Sequence, residues 1–244
     1  MQGIILTGGQ GTRLRPLTEH TNKHLLDICG RPMIYYSLSI FQSAGVTDIT
    51  LITNPQHTEP FETALTGEIS KPFKPLRIIG QKEKPGIAGS IQMMPKDARV
   101  GPYMVVLGDN LIGGSVQQAR DRFEKKPDSA LILLAQVQHP KAFGVAHMED
   151  GKITNIEEKP KHPDSHWVIT GIYFFPKDLF EMAARVRPSA RGEYEVTDLL
   201  YEYLEEERLE YQMLDHWWVD AGTYKSLEQA KKLVAEQNAK NAKE

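Results

Sequence analysis

The sequence predicts an α/β protein with a mostly parallel central sheet, and two observations support this prediction. Short apolar runs alternate with segments of helical length over residues 3–138, a pattern typical of βαβ units. Two of the apolar runs end directly in the polar turns TGGQGTR and LGDN. Because ligands of open parallel sheets bind at the carboxyl ends of the strands, we expect a functional site at these turns.

In the first half of the chain, predicted helices alternate with predicted strands. The predicted helices cover residues 32–44, 58–65 and 115–125. The first of them has Pro32 in its first turn and Gly45 just after its end, the usual positions for these two residue types. The predicted strands are the apolar runs at residues 3–7, 48–53, 76–79, 103–107 and 130–138.

The second half is less regular. The Asp150-Gly151 pair predicts a hairpin within residues 145–158, because this dipeptide favours a two-residue turn. Further strands are expected at residues 167–175, 209–215 and 217–220, and helices at residues 196–206 and from Tyr224 onward, with a polar tail that frays. The change of character near residue 140 predicts two halves of one domain rather than two independent domains.

Composition excludes several classes of protein. The chain has 244 residues, of which 40% are hydrophobic and 25% charged, so it can bury a full core and is neither disordered nor collagen-like. A net charge of −3 argues against a dedicated nucleic-acid binder. A small anionic ligand remains compatible with this charge, because a local cluster of Arg and Lys can hold phosphates.

The apolar stretches predict a cytoplasmic protein without a membrane partner. The N-terminal run is too short for a signal peptide, and the longest apolar runs are too short to span a bilayer. The single cysteine, Cys29, excludes an internal disulfide. Its position in LLDICG predicts a small buried core residue, and no His or Asn pattern supports a catalytic thiol.

The glycine-rich turn after the first strand is a candidate phosphate loop. Gly8, Gly9 and Gly11 would let backbone N–H groups approach an anion, and Arg13 and Lys23 would add positive charge. The spacing matches neither a P-loop nor a complete dinucleotide fingerprint, whose last position is Leu14 here. A tight turn with solvated charges is the alternative interpretation.

Two acidic residues follow apolar runs that are far apart in the sequence. Asp109 and Asp220 each end such a run, and carboxylates at strand ends suit Mg²⁺ beside a nucleotide phosphate. The alternatives are ordinary turn and cap roles, with Asp220 or Thr223 capping the final helix.

A third group of charged residues lies in the second half. Lys159 and Arg191 would hold a second phosphate, and Glu158 would accept hydrogen bonds from hydroxyl groups. A charged surface turn around EEKPK is the alternative interpretation.

Together these segments resemble the sugar-1-phosphate nucleotidylyltransferases, and most closely the glucose-1-phosphate thymidylyltransferases. The resemblance is carried, in order, by GIILTGGQGTRLRPLTEHTNKHLL, RPMIYYSLS, LGDN, FGV, EEKPKHPDS, ITGIYFF, PSARGEYEVTDL and WVDAGT. It implies a Rossmann-like, mostly parallel but mixed central sheet flanked by helices, of the nucleotide-diphospho-sugar transferase type. Residues 1–140 would form the nucleotide-binding half, and residues 141–244 the sugar-phosphate-binding half with the C-terminal helix.

The resemblance also implies a reaction. The family transfers a nucleotidyl group to a sugar 1-phosphate by an in-line displacement with Mg²⁺ as cofactor, here from dTTP to glucose 1-phosphate, giving dTDP-glucose and pyrophosphate. A UTP-dependent or other sugar-1-phosphate nucleotidylyltransferase is the alternative enzyme, and a non-catalytic nucleotide-sugar sensor is the alternative of another class. No nucleic-acid partner is expected, while a homo-oligomer is left open.

The family's site residues carry over to matching positions of this chain. Those expected at the nucleotide are Gly8, Gly9, Gly11, Thr12, Arg13, Lys23, Gln81, Gly86 and Asp109. Those expected at the sugar phosphate are Asn110, Gly144, Glu158, Lys159, Ile169 and Arg191. The expected metal ligands are Asp109 and Asp220, and the expected catalytic set is Arg13, Lys23, Asp109, Lys159 and Asp220.

Two departures from the family pattern bear on the choice of nucleotide. The segment from Pro85 to Gly89 stands where the family usually ends a base-reading stretch in Gly-Leu-Ala-Gln. His24 follows Lys23 where many members carry a Gln. The preference between dTTP and UTP is therefore left open by the sequence.

Overall fold

The computed structural model describes residues 1–67, 70–74, 76–80 and 86–242. Within these residues the α-helices are α1 (Ile34–Ser43), α2 (Thr58–Ala64), α3 (Gly86–Gln92), α4 (Gln117–Lys125), α5 (Leu179–Ala183), α6 (Val196–Glu205) and α7 (Tyr224–Asn241). The strands are β1 (Gln2–Leu6), β2 (Asp27–Ile28), β3 (Arg31–Pro32), β4 (Asp48–Thr53), β5 (Leu76–Gly80), β6 (Tyr103–Leu107), β7 (Asn110–Ile112), β8 (Ala130–Gln136), β9 (Gly144–Glu149), β10 (Lys152–Glu158), β11 (Trp167–Phe175), β12 (Leu209–Met213) and β13 (Trp218–Asp220).

The central sheet is mixed, as predicted. Its main path runs β10-β9-β11-β6-β1-β4-β5, and β8 and β12 extend it from β11. The strands of the N-terminal half are parallel, with β1 between β4 and β6 and β5 beyond β4. The antiparallel strand β11 pairs with β6 and so joins the second half of the chain to the same sheet.

Helices cover both faces of the sheet. Because successive residues of a strand point to opposite sides, β1 contributes side chains to a core on each face. Ile5 packs in a core with side chains of α1, α2 and α4, whereas Ile4 packs in a core with those of α3, α5 and α6. Burying each large aliphatic side chain of this kind contributes about 1.5–3 kcal/mol. These two cores hold the strand ends that carry the site.

A third core attaches the C-terminal helix. Leu227 and Val234 of α7 pack against Leu14 and Val219, so the helix contacts both the glycine-rich segment and β13. Thr223 caps α7, and its hydroxyl and that of Ser226 each accept a hydrogen bond from the other's backbone N–H. Thr223 therefore plays the cap role that the sequence offered as an alternative for this region. The helix continues through most of the tail that was expected to fray, which is rich in good helix formers.

The prediction that Cys29 is a buried core residue is wrong. Cys29 is exposed and has a φ of 53°, because with Gly30 it forms the two-residue turn between β2 and β3. The same short hairpin explains why α1 begins two residues later than predicted: Pro32 pairs with Asp27 in β3 instead of starting the helix.

Candidate active site

The glycine-rich segment follows β1 at the carboxyl edge of the parallel strands. Gly9 and Gly11 have φ angles of +95° and +59°, in the region that favours glycine. A Cβ atom on Gly11 would lie 3.0 Å from Thr18 Cγ2, so a side chain there would be strained in conformation and tightly packed against Thr18. The loop therefore presents bare backbone at the place where the sequence predicts a phosphate.

The two acids from distant parts of the chain meet beside this loop. Asn110, the residue after Asp109, pairs with Asp220 across the small antiparallel sheet of β7 and β13. The Ala221 backbone N–H donates to the Asp109 carbonyl oxygen at 2.8 Å, which fixes the two strand ends together. The structure thus brings together the two side chains that the sequence selected.

Asp109 is buried and held at both carboxylate oxygens. The Lys23 ammonium contacts Oδ2, and the Asn110 amide donates to Oδ1 at 3.1 Å. Burial raises the pKa of Asp109, but the positive charge of Lys23 and the hydrogen bonds from Lys23 and Asn110 together outweigh burial and hold this pKa well below its usual range. Asp109 is therefore a carboxylate at neutral pH.

Asp220 has the opposite electrostatic surroundings. Burial, together with repulsion from Asp109, raises the pKa of Asp220 to about 6, although Lys23 and Arg13 partly offset this. The Gly222 backbone N–H donates to its Oδ1 at 2.8 Å. Two carboxylates with only partial compensation form a site that favours an additional cation.

The donor set fits a magnesium ion. Mg²⁺ binds oxygen ligands, usually through one or two carboxylates together with waters and substrate phosphates. Among the described residues, no group of three or more His, Cys, Asp or Glu side chains forms a complete metal cage. The carboxylate pair leaves the remaining positions to a substrate, as this ion prefers.

Two adjoining cavities open at the acid pair. The first, of about 270 Å³, is lined by residues that include Gly8, Lys23, Gly86 and Asp109. The second, of about 570 Å³, is lined by residues that include Arg13, Asn110, Gly144, Ile169, Trp218 and Asp220. Both are lined by Ile87, Leu107, Glu158, Lys159 and Val196. The arrangement can hold two ligands end to end beside the carboxylates.

Arg13 lies over a glycine next to Asp220. The guanidinium Nη2 atom is 3.1 Å from the position that a Cβ atom of Gly222 would occupy. Within the described residues, Arg13 forms no ion pair with a carboxylate, and its side chain is exposed. The cation is therefore available to an anion beside the acid pair.

Asn110 and Trp218 build the floor of the second cavity. The Asn110 Oδ1 atom accepts hydrogen bonds from Trp218 Nε1 at 2.6 Å and from the Gly171 backbone N–H at 2.9 Å. Trp218 also meets the Phe143 ring edge-on, with 5.4 Å between ring centroids. The amide of Asn110 thereby connects Asp109 with the ring pair of Trp218 and Phe143.

Glu158 ends β10 in the wall that the two cavities share. Its Oε1 accepts hydrogen bonds from Lys159 Nζ at 2.7 Å and from Arg191 Nη2 at 3.0 Å. Lys159 has a φ of 47°, a left-handed conformation that is unusual for a residue other than glycine and that often occurs at functional sites. Gly144 lies opposite Glu158 in the β9–β10 ladder, where a Cβ atom would be 2.9 Å from Thr197 Cγ2.

Comparison with known proteins agrees with this geometry. The family model described as nucleotidyl transferase matches residues 2–237, nearly the whole chain. This chain belongs to the nucleotidyl transferase family.

Relatives of this nucleotidyl transferase have more specific descriptions. It is 38% identical to a glucose-1-phosphate thymidylyltransferase of Neisseria meningitidis over 96% of this chain and 82% of the relative. It is 37% identical to one from Mycolicibacterium smegmatis with the same coverage. A crystal structure from Bacillus anthracis, described as a glucose-1-phosphate thymidylyltransferase in complex with a sucrose, matches at TM-score 0.89 and 37% identity, covering 96% of this chain and 94% of that one.

A more distant structure shares the fold. UDP-glucose pyrophosphorylase complexed with UDP-glucose matches this nucleotidyl transferase at TM-score 0.86, covering 97% of this chain and 98% of that one, with 21% identity.

In the described part of the chain, no helix has both the length and the apolar character needed to cross a membrane.

Some predicted site residues lie outside the two cavities. Gly11, Thr12 and Arg191 are absent from the described linings of both, although each adjoins a lining residue. Gln81, predicted to read the base, lies outside the residues that the structure describes. The roles of these residues stay predictions.

Other residues of this nucleotidyl transferase belong to the site but were not selected as site residues from the sequence. Asn54, Glu195 and Trp218 all line a cavity. Asn54 follows β4 at the same sheet edge as Gly8, a position that the strand pattern could have indicated. Trp218 stands two residues before Asp220 in a quoted motif, but only the fold shows that its ring faces the cavity.

His24, noted as a departure from the family pattern, lines the first cavity. Its Nδ1–H donates to Asn22 Oδ1 at 2.6 Å, and Asn22 Nδ2 donates to the Thr7 carbonyl at 3.0 Å. Burial, together with the charge of Lys23, lowers the pKa of His24 to about 3. The imidazole is therefore neutral at physiological pH and adds no positive charge to the phosphate region.

Substituting Gly86 with alanine should weaken nucleotide binding and lower stability. Gly86 has a φ of +81°, and a Cβ atom would lie 2.5 Å from the Tyr194 carbonyl oxygen. We expect the start of α3 to shift, with a loss of about 1–3 kcal/mol in the free energy of unfolding and a higher KM for the nucleotide. Gly151→Ala is the matched control, since Gly151 has a φ of +74° but open space around it. Equal behaviour of the two variants in chemical denaturation and kinetics would contradict this expectation.

Proposed function

We propose that this protein transfers the thymidylyl group of dTTP to glucose 1-phosphate and releases pyrophosphate. The observation that carries the proposal is the pair of adjoining cavities that meet beside Asp109 and Asp220. The relatives described as glucose-1-phosphate thymidylyltransferases support the choice of substrates. We assign the cavity near Gly8 to the nucleotide and the cavity near Trp218 to the sugar phosphate, with residues 1–140 and 141–244 as the corresponding halves of one domain.

In this proposal the reaction is a single displacement at phosphorus. An oxygen of the sugar phosphate attacks the α-phosphorus of the nucleotide, and the bond from that phosphorus to the bridging oxygen of the β-phosphate breaks. The bridging oxygen leaves with its electron pair on pyrophosphate. No protein nucleophile is required, so catalysis consists of alignment and charge neutralisation.

The chain's own cations are suited to the anions of this reaction. Arg13, unpaired among the described residues, would stabilise the negative charge that develops on pyrophosphate. Lys23 faces the first cavity and would contact the α-phosphate, while Lys159, in the shared wall, would hold the sugar phosphate with help from Arg191. Alignment of two anions requires this positive charge on both sides of the reacting phosphorus.

Asp109 and Asp220 would hold Mg²⁺, as their oxygen-only donor set and incomplete charge compensation indicate. When bound, the ion supplies positive charge to the reacting phosphates. Glu158, Asn110, Gly144 and Ile169 would line the sugar pocket, and the Gly86 backbone would lie against the base. A cytoplasmic location stays a prediction from the sequence, and a homo-oligomer is left open.

A substrate matrix tests the proposed function. Pyrophosphate release is measured for dTTP, UTP, CTP and GTP, each paired with glucose 1-phosphate, galactose 1-phosphate and mannose 1-phosphate, with and without Mg²⁺. We expect dTTP with glucose 1-phosphate and Mg²⁺ to give the highest kcat/KM. A higher value with UTP would favour the alternative transferase, and nucleotide-sugar binding without any pyrophosphate release would favour a sensor.

A further inference from the structure

A buried carboxylate lines the first cavity beside the wall that the two cavities share. Glu195 directly precedes α6, and its side chain is 7% exposed. A single oxygen, Oε1, accepts hydrogen bonds from Ser189 Oγ at 2.8 Å and from Arg191 Nε and Nη2 at 3.1 and 2.8 Å. The carboxylate thus fixes the guanidinium through two of its nitrogens.

The same guanidinium also reaches the acceptor side. Arg191 Nη2 donates to Glu158 Oε1 at 3.0 Å, while Thr197 Oγ1 donates to Glu158 Oε2 at 3.3 Å. Arg191 is therefore a bridge between Glu195, which lines the first cavity, and Glu158, which lines both. Through this bridge the orientation of Glu158 depends on a residue that does not line the second cavity.

Physical considerations favour a positioning role for this contact. The Arg191 side chain is 44% exposed, and a long exposed side chain samples many rotamers unless something fixes it. A planar guanidinium held through Nε and Nη2 has a defined direction, which an ammonium group cannot reproduce. A buried carboxylate is costly unless it is paired, so Glu195 in turn needs this arginine.

We propose that Glu195 is a positioning residue for the acceptor site: through Arg191 it fixes the orientation of Glu158, the group that accepts hydrogen bonds from the sugar hydroxyls. The inference rests on the proposed function and adds a residue that determines sugar specificity. It concerns the selection among sugar hydroxyls, not the displacement at phosphorus.

The consequence is a specific kinetic signature. A site that hydrogen-bonds a substrate hydroxyl rejects the analogue that lacks it, because the protein group is then left unpaired. If Glu158 is held by the bridge, loosening the bridge reduces this rejection. A small misplacement of a binding group suffices for a large effect on rate. We therefore expect Glu195→Gln to lower the preference for glucose 1-phosphate over the critical deoxy analogue by about tenfold, as when a supporting partner of a ligating group is removed.

The experiment uses the full chain and the 2-, 3-, 4- and 6-deoxy analogues of glucose 1-phosphate. The analogue most strongly rejected by the unmodified protein, and accepted relatively better by Glu158→Gln, identifies the hydroxyl that Glu158 accepts. Glu195→Gln and Arg191→Lys are then expected to relax selectivity at that same hydroxyl while the KM for dTTP stays within twofold. Glu202→Gln is the matched control, because Glu202 lies on α6 and pairs with Arg185 at 3.8 Å, away from both cavities.

Three results would overturn the inference. One is unchanged sugar selectivity in Glu195→Gln; a second is a raised KM for dTTP with sugar selectivity unchanged, which would assign Glu195 to the nucleotide. The third is full retention of selectivity in Arg191→Lys, which would reduce Arg191 to a source of charge. Thermal unfolding of each variant separates these results from a loss of folding. Failure of the proposed function itself is distinct, since the unmodified protein would then release no pyrophosphate with any substrate pair.

Discussion

Asp109→Asn should lower turnover of dTTP and glucose 1-phosphate by on the order of 10²- to 10³-fold, the size of loss that follows removal of one electrostatic contribution to the transition state, because the carboxylate would hold the cation that supplies this contribution. The substitution keeps the shape of the side chain but removes half of the carboxylate pair. It also leaves the ammonium of Lys23, which is 13% exposed, without its contact to a charge. Steady-state kinetics across a Mg²⁺ titration should show both a lower kcat and a weaker response to the ion.

Stability should fall in the same variant. The pKa of Asp109 is lower in the folded protein than in the unfolded chain, so its ionised form favours folding above the unfolded pKa. This contribution is lost as the pH falls through the folded pKa, and asparagine lacks it at every pH. Kinetics must therefore be measured at a temperature where circular dichroism shows the variant folded. Asp97→Asn, at an exposed position outside both cavities, should behave like the unmodified protein; near-full turnover in Asp109→Asn would contradict the metal assignment.

Arg13→Ala is expected to reduce kcat by about 10²- to 10³-fold with little change in stability. The guanidinium lies over Gly222 beside Asp220 and forms no ion pair within the described residues, so its removal breaks no structural contact of that kind. Catalysis should suffer because the negative charge on the departing pyrophosphate loses its partner. Product inhibition by pyrophosphate should weaken in parallel, because the affinity for pyrophosphate falls. Calorimetric titration with pyrophosphate measures this affinity directly.

Two comparisons make the Arg13 experiment decisive. Arg13→Lys keeps the charge but loses the fork geometry, so an intermediate rate is expected. Arg187→Ala removes an exposed arginine outside both cavities and should leave kinetics unchanged. Unaltered pyrophosphate affinity in Arg13→Ala would refute the assignment of this side chain to the leaving group.

Local signals predicted the elements of the fold better than its exposed details. The Asp150-Gly151 turn was predicted because the dipeptide itself favours φ angles of 49° and 74°. Cys29 was assigned to the core from its apolar neighbours, but a two-residue hairpin turn directs it outward. The helices α3 and α5 were not predicted, because α3 contains two glycines, which have low helix propensity, and α5 has only 5 residues, too few for a periodic pattern.

Local signals also predicted only part of the candidate site. Asp109 and Asp220 were selected because each ends an apolar run, yet their proximity depends on the pairing of β7 with β13, which no local pattern encodes. Glu195 lay within the quoted segment PSARGEYEVTDL without a separate signal. Its burial and its contacts with Arg191 arise from the folding of the preceding loop against Glu158. Residues that act through other residues are therefore the part of the site that sequence alone does not reveal.

The common wall of the two cavities also has a consequence for inhibitor design. A nucleobase fragment and a hexose fragment joined through a stable phosphate mimic would occupy both cavities at once, passing Leu107, Glu158 and Lys159. Tethering makes the second binding event intramolecular, with an effective concentration in the millimolar range for a short linker. Such a bisubstrate molecule gains avidity that neither fragment has alone, and it would compete with both substrates simultaneously.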